Sequence, residues 1–189
     1  MKGTLKLLLK DDLYRITGKR KTLYILFYLL KAEYVFLFCY RITRHFFLKK
    51  YKILFKISNI FLRFFSIKFG YEIPPQTKIG NGVKLMHFGG VAINPLSEIG
   101  RNVTISKGVT IGSNRRGKNK GAPLIGDDVF IGANAAIIGG VSIGDNVMIA
   151  PNAYINFDVP SHSICLGNPG RIISAFNATE FYQDNIYND

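Results

Sequence analysis

The sequence predicts a mainly β fold, a three-sided parallel β-helix preceded by a basic, aromatic-rich α-helical region. Three observations support this prediction. From Ile99 onward an aliphatic residue recurs every six positions, and the same rhythm is visible upstream from Ile73. A small residue usually occupies the second position of each six-residue unit, and Asn, Asp or Gly often occupies the third or fourth. The first 71 residues have neither feature and carry all of the excess positive charge.

The six-residue period is the strongest of these signals. It fits neither the 3.6-residue period of a helix nor the two-residue alternation of a strand, but it suits one short strand and one corner per hexad. The aliphatic residue then points into a narrow triangular core, and Asn, Asp or Gly accommodates the corner. The hexads are IPPQTK, IGNGVK and LMHFGG upstream, then IGRNVT, ISKGVT and IGSNRR, and after a loop IGDDVF, IGANAA, IIGGVS, IGDNVM, IAPNAY and INFDVP.

Residues 1–71 form a region of a different kind. They contain 16 Lys and Arg against 3 Asp and Glu, whereas the rest of the chain has nine of each. Segments without Gly or Pro predict helices here. The most apolar window, Leu23–Cys39, is short for a membrane span and contains Lys31 and Glu33. Two interpretations remain open, namely helices that pack on the domain with solvated cations, or a basic surface that also contacts anionic lipid.

Two interruptions of the repeat mark the candidate site. From Leu85 to Ile93 there are eight residues instead of six, and His87 lies in this insertion. From Ile111 to Ile125 there are fourteen residues instead of twelve, which include the polar, basic stretch GSNRRGKNKGAP. We interpret that stretch as a loop projecting from one corner. The predicted organisation is therefore helices over 1–71, a β-helix over 72–172 and a tail over 173–189.

Within the repeat, the stretches EIPPQTKIGNGVKLMHFGGVAI, VTIGSN and GAPLIGDDVFIGANAAIIGGVSIGDNVMIAP resemble left-handed β-helix acetyltransferases. The similarity is to serine acetyltransferases and, more closely, to the O-acetyltransferases of capsule and colanic-acid synthesis. It implies left-handed coils, acetyl-CoA as co-substrate, no metal, and a homotrimer with sites between subunits.

The same resemblance assigns roles to residues of this chain. His87 is expected to be the catalytic base and Glu72 the carboxylate that orients it, because an alcohol attacks a thioester well only as its proton leaves. Gly112 and Ser113 are expected near the oxyanion. The expected CoA-binding cations are Arg115, Arg116, Lys118, Lys120 and Arg171.

Two departures from the serine acetyltransferase pattern bear on the acceptor. Met86 replaces the usual Asp before the histidine, and Gly121-Ala122 replaces an Arg-His pair. The helical region is also shorter. These differences favour a sugar hydroxyl of a surface polysaccharide or its precursor, with serine as the alternative acceptor.

Other classes fit less well. A zinc-dependent β-helix hydratase needs three converging histidines, and His45, His87 and His162 stand in unsuitable contexts. A non-catalytic trimeric scaffold remains open. No nucleic-acid-binding motif is recognisable. Cys39 and Cys165 match no disulfide or metal spacing, which fits a cytoplasmic enzyme. The basic region 1–71 adds the expectation of a peripheral position at the inner membrane face.

Overall fold

The N-terminal region is helical, and a β-helix follows it, as predicted. A computed structural model describes residues 4–19 and 31–186. Part of the apolar window Leu23–Cys39 lies outside these ranges. The helices are α1 (Leu5–Thr17), α2 (Ala32–Leu48) and α3 (Lys52–Phe69). Among the described helices, none has the length and apolar character needed to cross a bilayer.

Fifteen short strands in the described ranges wind through five coils and stack into three sheets. The strands are β1 Tyr71–Glu72, β2 Lys78–Ile79, β3 Lys84–Met86, β4 Val91–Ile93, β5 Glu98–Ile99, β6 Thr104–Ser106, β7 Thr110–Gly112, β8 Leu124–Ile125, β9 Phe130–Ile131, β10 Ala136–Ile138, β11 Ser142–Ile143, β12 Val147–Ile149, β13 Tyr154–Ile155, β14 Ser163–Leu166 and β15 Arg171–Ser174. Sheet 1 is β1-β4-β7-β10-β13, sheet 2 is β2-β5-β8-β11, and sheet 3 is β3-β6-β9-β12-β14-β15. All pairings are parallel except β14 with β15.

The aliphatic residue that opens each hexad forms the interior of the β-helix. In sheet 2, Ile79, Ile99 and Ile125 stack in register, and all are at least 95% buried. The Val or Ala at the fifth position, such as Val103 and Ala135, is also buried and fills the corners. The hexad pattern therefore identified the core correctly, and the predicted fold class is confirmed.

The corners have the left-handed backbone expected from their composition. Asn102, Asp128, Asn134, Asn146 and Asn152, each at the fourth position of its hexad, have φ between 50° and 60°. Asn and Asp tolerate this conformation better than other residues with a side chain. Their side chains also bond from coil to coil, as from Asn102 Nδ2 to Asp128 Oδ1 at 2.9 Å.

Three arginines of the helical region are buried, which the sequence reading of solvated cations did not foresee. Arg41 of α2 is 1% exposed and forms an ion pair with Asp12 of α1 at 2.7 Å. It also donates to the carbonyl oxygens of Ile79 and Gly80 in the first coil. Burial opposes the charge of Arg41, but the charge and hydrogen bonds of Asp12 outweigh burial and raise its pKa. The pair therefore fastens both helices to the β-helix.

The C-terminal tail runs back along sheet 3 from the last coil to the first. The Ala175 amide bonds to the carbonyl of His162 in the fifth coil, and the Tyr182 ring packs on Phe130 of the third. At the end of the tail, Arg15 of α1 donates to the carbonyl of Asp184 and to Oε1 of Gln183. It also donates to Thr104 Oγ1 in the second coil. Helix α1, the coils and the tail thus meet at one buried guanidinium.

Stacked glycines set the close spacing of neighbouring coils along sheet 2. A Cβ atom at Gly100 would lie 2.4 Å from the carbonyl oxygen of Gly126 in the next coil. We expect Gly100→Ala to lower the free energy of unfolding by about 1–3 kcal/mol, because two coils must separate to admit the methyl group. Urea denaturation at one fixed protein concentration measures this. Gly112→Ala, whose added methyl group would meet the movable Cδ1 of Ile138 at 2.9 Å instead of backbone, is the control, and an equal loss there would contradict the steric explanation.

Candidate active site

The two-residue insertion after β3 forms a bulge that carries His87 on its outside. β3 ends at Met86 and β4 begins at Val91. His87 has a φ of 60° and is exposed, so it takes no part in the core. A histidine in this left-handed conformation is uncommon, and such backbone outliers concentrate at functional sites. The bulge confirms that the break in the repeat turns His87 outward.

The bulge contacts the end of α3 and is bonded to Tyr71. The Tyr71 hydroxyl donates to the carbonyl of His87 at 3.1 Å. Burial, with a smaller contribution from Glu33, raises the pKa of this hydroxyl. Gly70, which ends α3, lies so close that a Cβ there would be 3.0 Å from the Gly90 amide nitrogen. Sequence reasoning missed Tyr71, because a tyrosine at a strand start carries no functional signal.

Glu72 lies on the outer face of sheet 1, paired in register with Ala92 of the coil that follows the bulge. It lines a groove of 680 Å³ between sheet 1 and α3, together with Arg63 and Gly90. Neither Glu72 nor His87 forms a side-chain hydrogen bond or ion pair with another described residue. The expected hydrogen bond between the two is thus not formed in the single chain, and both side chains are exposed to react or to be repositioned.

The second interruption is a projecting loop, residues 113–122, at a different edge of the β-helix. It follows β7 at the edge between sheets 1 and 2 and is closed by paired backbone bonds between Asn114 and Gly121. Ser113 Oγ accepts from Asn94 Nδ2 at 3.0 Å. The four predicted cations of the loop are exposed: Arg115, Arg116, Lys118 and Lys120. Because His87 lies at the edge between sheets 3 and 1, one chain does not bring Gly112, Ser113 or these cations to the histidine.

Arg171 lies beside the same edge as His87. We call the edge between sheets 3 and 1 the His87 edge. It is formed by residues 87–90, 107–109, 132–135, 150–153 and 167–170. Arg171 begins β15 directly after the last of these and is exposed. Five strand steps of sheet 3 separate β15 from β3, which ends just before His87, and this is about 24 Å at the usual spacing of neighbouring strands. The edge thus joins a histidine to a cation along an extended path.

Both departures that favoured a sugar acceptor have a structural explanation. The Met86 side chain packs on sheet 3 with the apolar cluster of Phe130, Met148 and Ala178, under the C-terminal tail. An aspartate there would bury a carboxylate against apolar groups. Gly121 has a φ of 131° and faces Gly140, where a Cβ would lie 3.2 Å from its Cα. Met86 and Gly121 therefore have packing roles in this chain.

The other two histidines have local roles. His162, with φ of 59°, shares its Nδ1 with Asn146 and the carbonyl of Phe176 at a corner of the last coil. His45 lies on α2 beside Phe46. Across residues 4–19 and 31–186, no three His, Cys, Asp or Glu side chains gather as metal ligands would.

Comparisons with known proteins agree with this geometry. Residues 122–156 match the family model described as bacterial transferase hexapeptide (six repeats). The serine acetyltransferase of Helicobacter pylori is 35% identical over 138 residues, 73% of this chain and 79% of that protein. The Staphylococcus aureus serine acetyltransferase is 42% identical over 125 residues, 66% of this chain and 57% of that protein.

A solved structure extends the similarity to the helices. The crystal structure of Neisseria gonorrhoeae serine acetyltransferase in complex with serine superimposes with a TM-score of 0.75 at 29% identity, covering 88% of this chain and 68% of that one. The expected placement in the polysaccharide O-acetyltransferase branch is wrong, because these relatives are serine acetyltransferases. The chain is an acyltransferase, and it belongs to the serine acetyltransferase family of hexapeptide-repeat, left-handed β-helix proteins.

Proposed function

We propose that this protein transfers the acetyl group of acetyl-CoA to the hydroxyl of L-serine, with His87 as the general base. The observation that carries the proposal is the bulge that exposes His87 in a chain 35% identical to a serine acetyltransferase. Histidine is the residue type whose unperturbed pKa suits a base at neutral pH. The serine oxygen attacks the thioester carbonyl, His87 takes its proton, and the carbon–sulfur bond breaks as the CoA sulfur is protonated.

The residues around His87 have distinct parts in this proposal. Glu72 lies on β1, in register with Ala92 of the strand that follows the bulge, and would stabilise the imidazolium formed during transfer. Tyr71 fixes the His87 backbone through its 3.1 Å hydrogen bond and therefore acts as a positioning residue. A backbone N–H at Gly112 or Ser113 would hold the oxyanion of the tetrahedral intermediate.

Acetyl-CoA would lie along the His87 edge. The corners of this edge are built largely from Gly, Ala, Asn and Pro, so an elongated chain can approach the backbone closely. Arg171 lies about five strand steps from His87 and would contact the phosphates at the far end of the CoA chain. The loop of a neighbouring subunit would supply further cations for the CoA phosphates, namely Arg115, Arg116, Lys118 and Lys120.

Assembly follows from the positions of the two interruptions. His87 and the projecting loop occupy different edges of one β-helix, so a complete site requires a loop from an adjacent copy. We therefore propose a homotrimer, in which each of three sites lies between two chains. Since both proposed substrates are metabolites of the cytoplasm, we propose that the enzyme acts there.

Acetyl transfer to L-serine tests the function directly. With purified protein, acetyl-CoA and L-serine, we expect CoA release well above the rate without acceptor, and O-acetylserine identified by mass spectrometry. L-Alanine, which lacks the hydroxyl, is the matched control acceptor and should give background release. The Helicobacter pylori relative run in parallel validates the assay. Release that is no faster with serine than with alanine would contradict the proposal.

A further inference from the structure

Helix α3 has two apolar faces, and only one of them contacts the rest of the protein. On the inner face Leu62 is 3% exposed, and Phe65 and Phe69 pack against the core. The opposite face is apolar and exposed, with residues spaced by four and three positions so that they form one stripe. The stripe, which we call the outer face of α3, consists of Ile53, Ile57, Ile60, Phe64 and Ile67.

The exposure of this face is large for a soluble surface. Ile53 is 75% exposed, Ile60 68% and Ile67 84%, and Phe61 and Leu54 extend the patch to one side. Single exposed apolar residues are ordinary, but a contiguous patch of this kind marks a surface that binds something. Within the described residues nothing packs against it.

The charged residues of α3 and of the turn before it are all cations. Exposed cations accompany it along its length: Lys49, Lys50, Lys52, Lys56, Arg63 and Lys68. No Asp or Glu occurs between Glu33 and Glu72. On the helix, Lys52, Lys56 and Arg63 project along one flank of the stripe, at the boundary between its apolar side chains and the protein.

These charges decide between the two occupants that an apolar helix face attracts. A second copy of α3 would bring cation against cation with no acidic residue to pair them, which is destabilising. An anionic lipid surface supplies negative head groups for the Lys and Arg side chains and an apolar layer for Ile and Phe. Lys and Arg can lie along the apolar surface and still hold their charges at the head groups.

We propose that the outer face of α3 is a membrane-docking surface that lies flat in the head-group layer of an anionic bilayer. The helix contacts the bilayer in the interfacial plane and does not cross it, in agreement with the lack of a membrane-spanning helix among the described residues. This inference goes beyond the proposed acetyl transfer and does not depend on it. The outer face adjoins the groove lined by Glu72, through Ile67 and Arg63, but none of its residues has a role in the proposed transfer.

Vesicle flotation tests the proposal with the full-length protein. We expect the protein to float with vesicles of phosphatidylcholine containing 30% phosphatidylglycerol (roughly a bacterial-like anionic content) and not with pure phosphatidylcholine. Binding should weaken as salt is raised. Ile60→Ser/Phe64→Ser and, separately, Lys52→Glu/Lys56→Glu should each lower the partition coefficient more than about ten-fold.

A matched variant controls for general loss of hydrophobicity. Leu96→Ser/Phe181→Ser also removes two exposed apolar side chains, 74% and 93% exposed, but from elsewhere on the surface, and should float like the wild type. Light scattering gives the oligomeric state of each variant. Failure of the wild type to float, equal binding to neutral vesicles, or an Ile60→Ser/Phe64→Ser variant that changes oligomeric state instead of flotation would each overturn the proposal.

Discussion

Replacing His87 with Asn is expected to lower kcat/KM for acetyl transfer by about 10²–10⁴-fold, the usual contribution of a general base. Asparagine is the sharper replacement than alanine, because it tolerates the left-handed conformation that His87 adopts at φ of 60°. The bulge should therefore persist while the group that takes the serine proton is lost. Steady-state kinetics with saturating acetyl-CoA measures the effect, and kcat should fall more than KM rises.

His162 provides a matched control for this experiment. It has nearly the same backbone conformation, with φ of 59°, and is likewise exposed. It lies in the last coil at the edge between sheets 2 and 3, where its ring bonds to Asn146. His162→Asn should leave kcat/KM within a few-fold of the wild type. If His87→Asn were as active as His162→Asn, His87 would not be the base.

Breaking the buried pair of Arg41 and Asp12 should have the largest effect on stability. Arg41→Met or Asp12→Asn alone is expected to cost about 3–5 kcal/mol, because each leaves a buried charge or its hydrogen-bond partners uncompensated. Asp12 also accepts from the Val83 amide at 3.2 Å, so its loss loosens the first coil as well. Urea unfolding at a fixed protein concentration, followed by circular dichroism, gives the free energies.

The double variant and a surface pair complete this test. Asp12→Asn/Arg41→Met removes both charges and should cost less than the sum of the two single variants, since no charge is left unpaired. Lys78 and Glu98 also form an ion pair but are 59% and 48% exposed, so Lys78→Met should cost under about 1 kcal/mol. Equal costs for Lys78→Met and Arg41→Met would show that burial of the Arg41 pair is unimportant.

The six-residue period was sufficient to predict the β-helix, because each coil repeats one local pattern. Ile79, Ile99 and Ile125 lie twenty and twenty-six residues apart, yet each was identifiable from its own hexad. The bulge at His87 was equally predictable, since two extra residues in a fixed period must leave the coil. Such features depend on neighbours in sequence.

Features that depend on distant parts of the chain could not be predicted in this way. Arg41 looks like any surface cation of a basic region until α1 supplies Asp12 and the first coil supplies two carbonyls. Met86 was taken as a sign of a different acceptor, and only the fold of the tail shows that it packs with Phe130 and Met148. The sugar acceptor that these departures favoured is contradicted by the relatives, which are serine acetyltransferases.

The C-terminal tail has a consequence for how this protein can change over generations. Solenoids ordinarily lengthen or shorten by whole repeats at little cost, since each repeat contacts only its neighbours. Here the tail measures the height of the stack, from Ala175 at the top to Asp184 at Arg15 near the base. An inserted coil would raise the top by about 4.8 Å and pull the tail off its anchor. The length of the C-terminal tail thus limits the number of coils that this chain can stack.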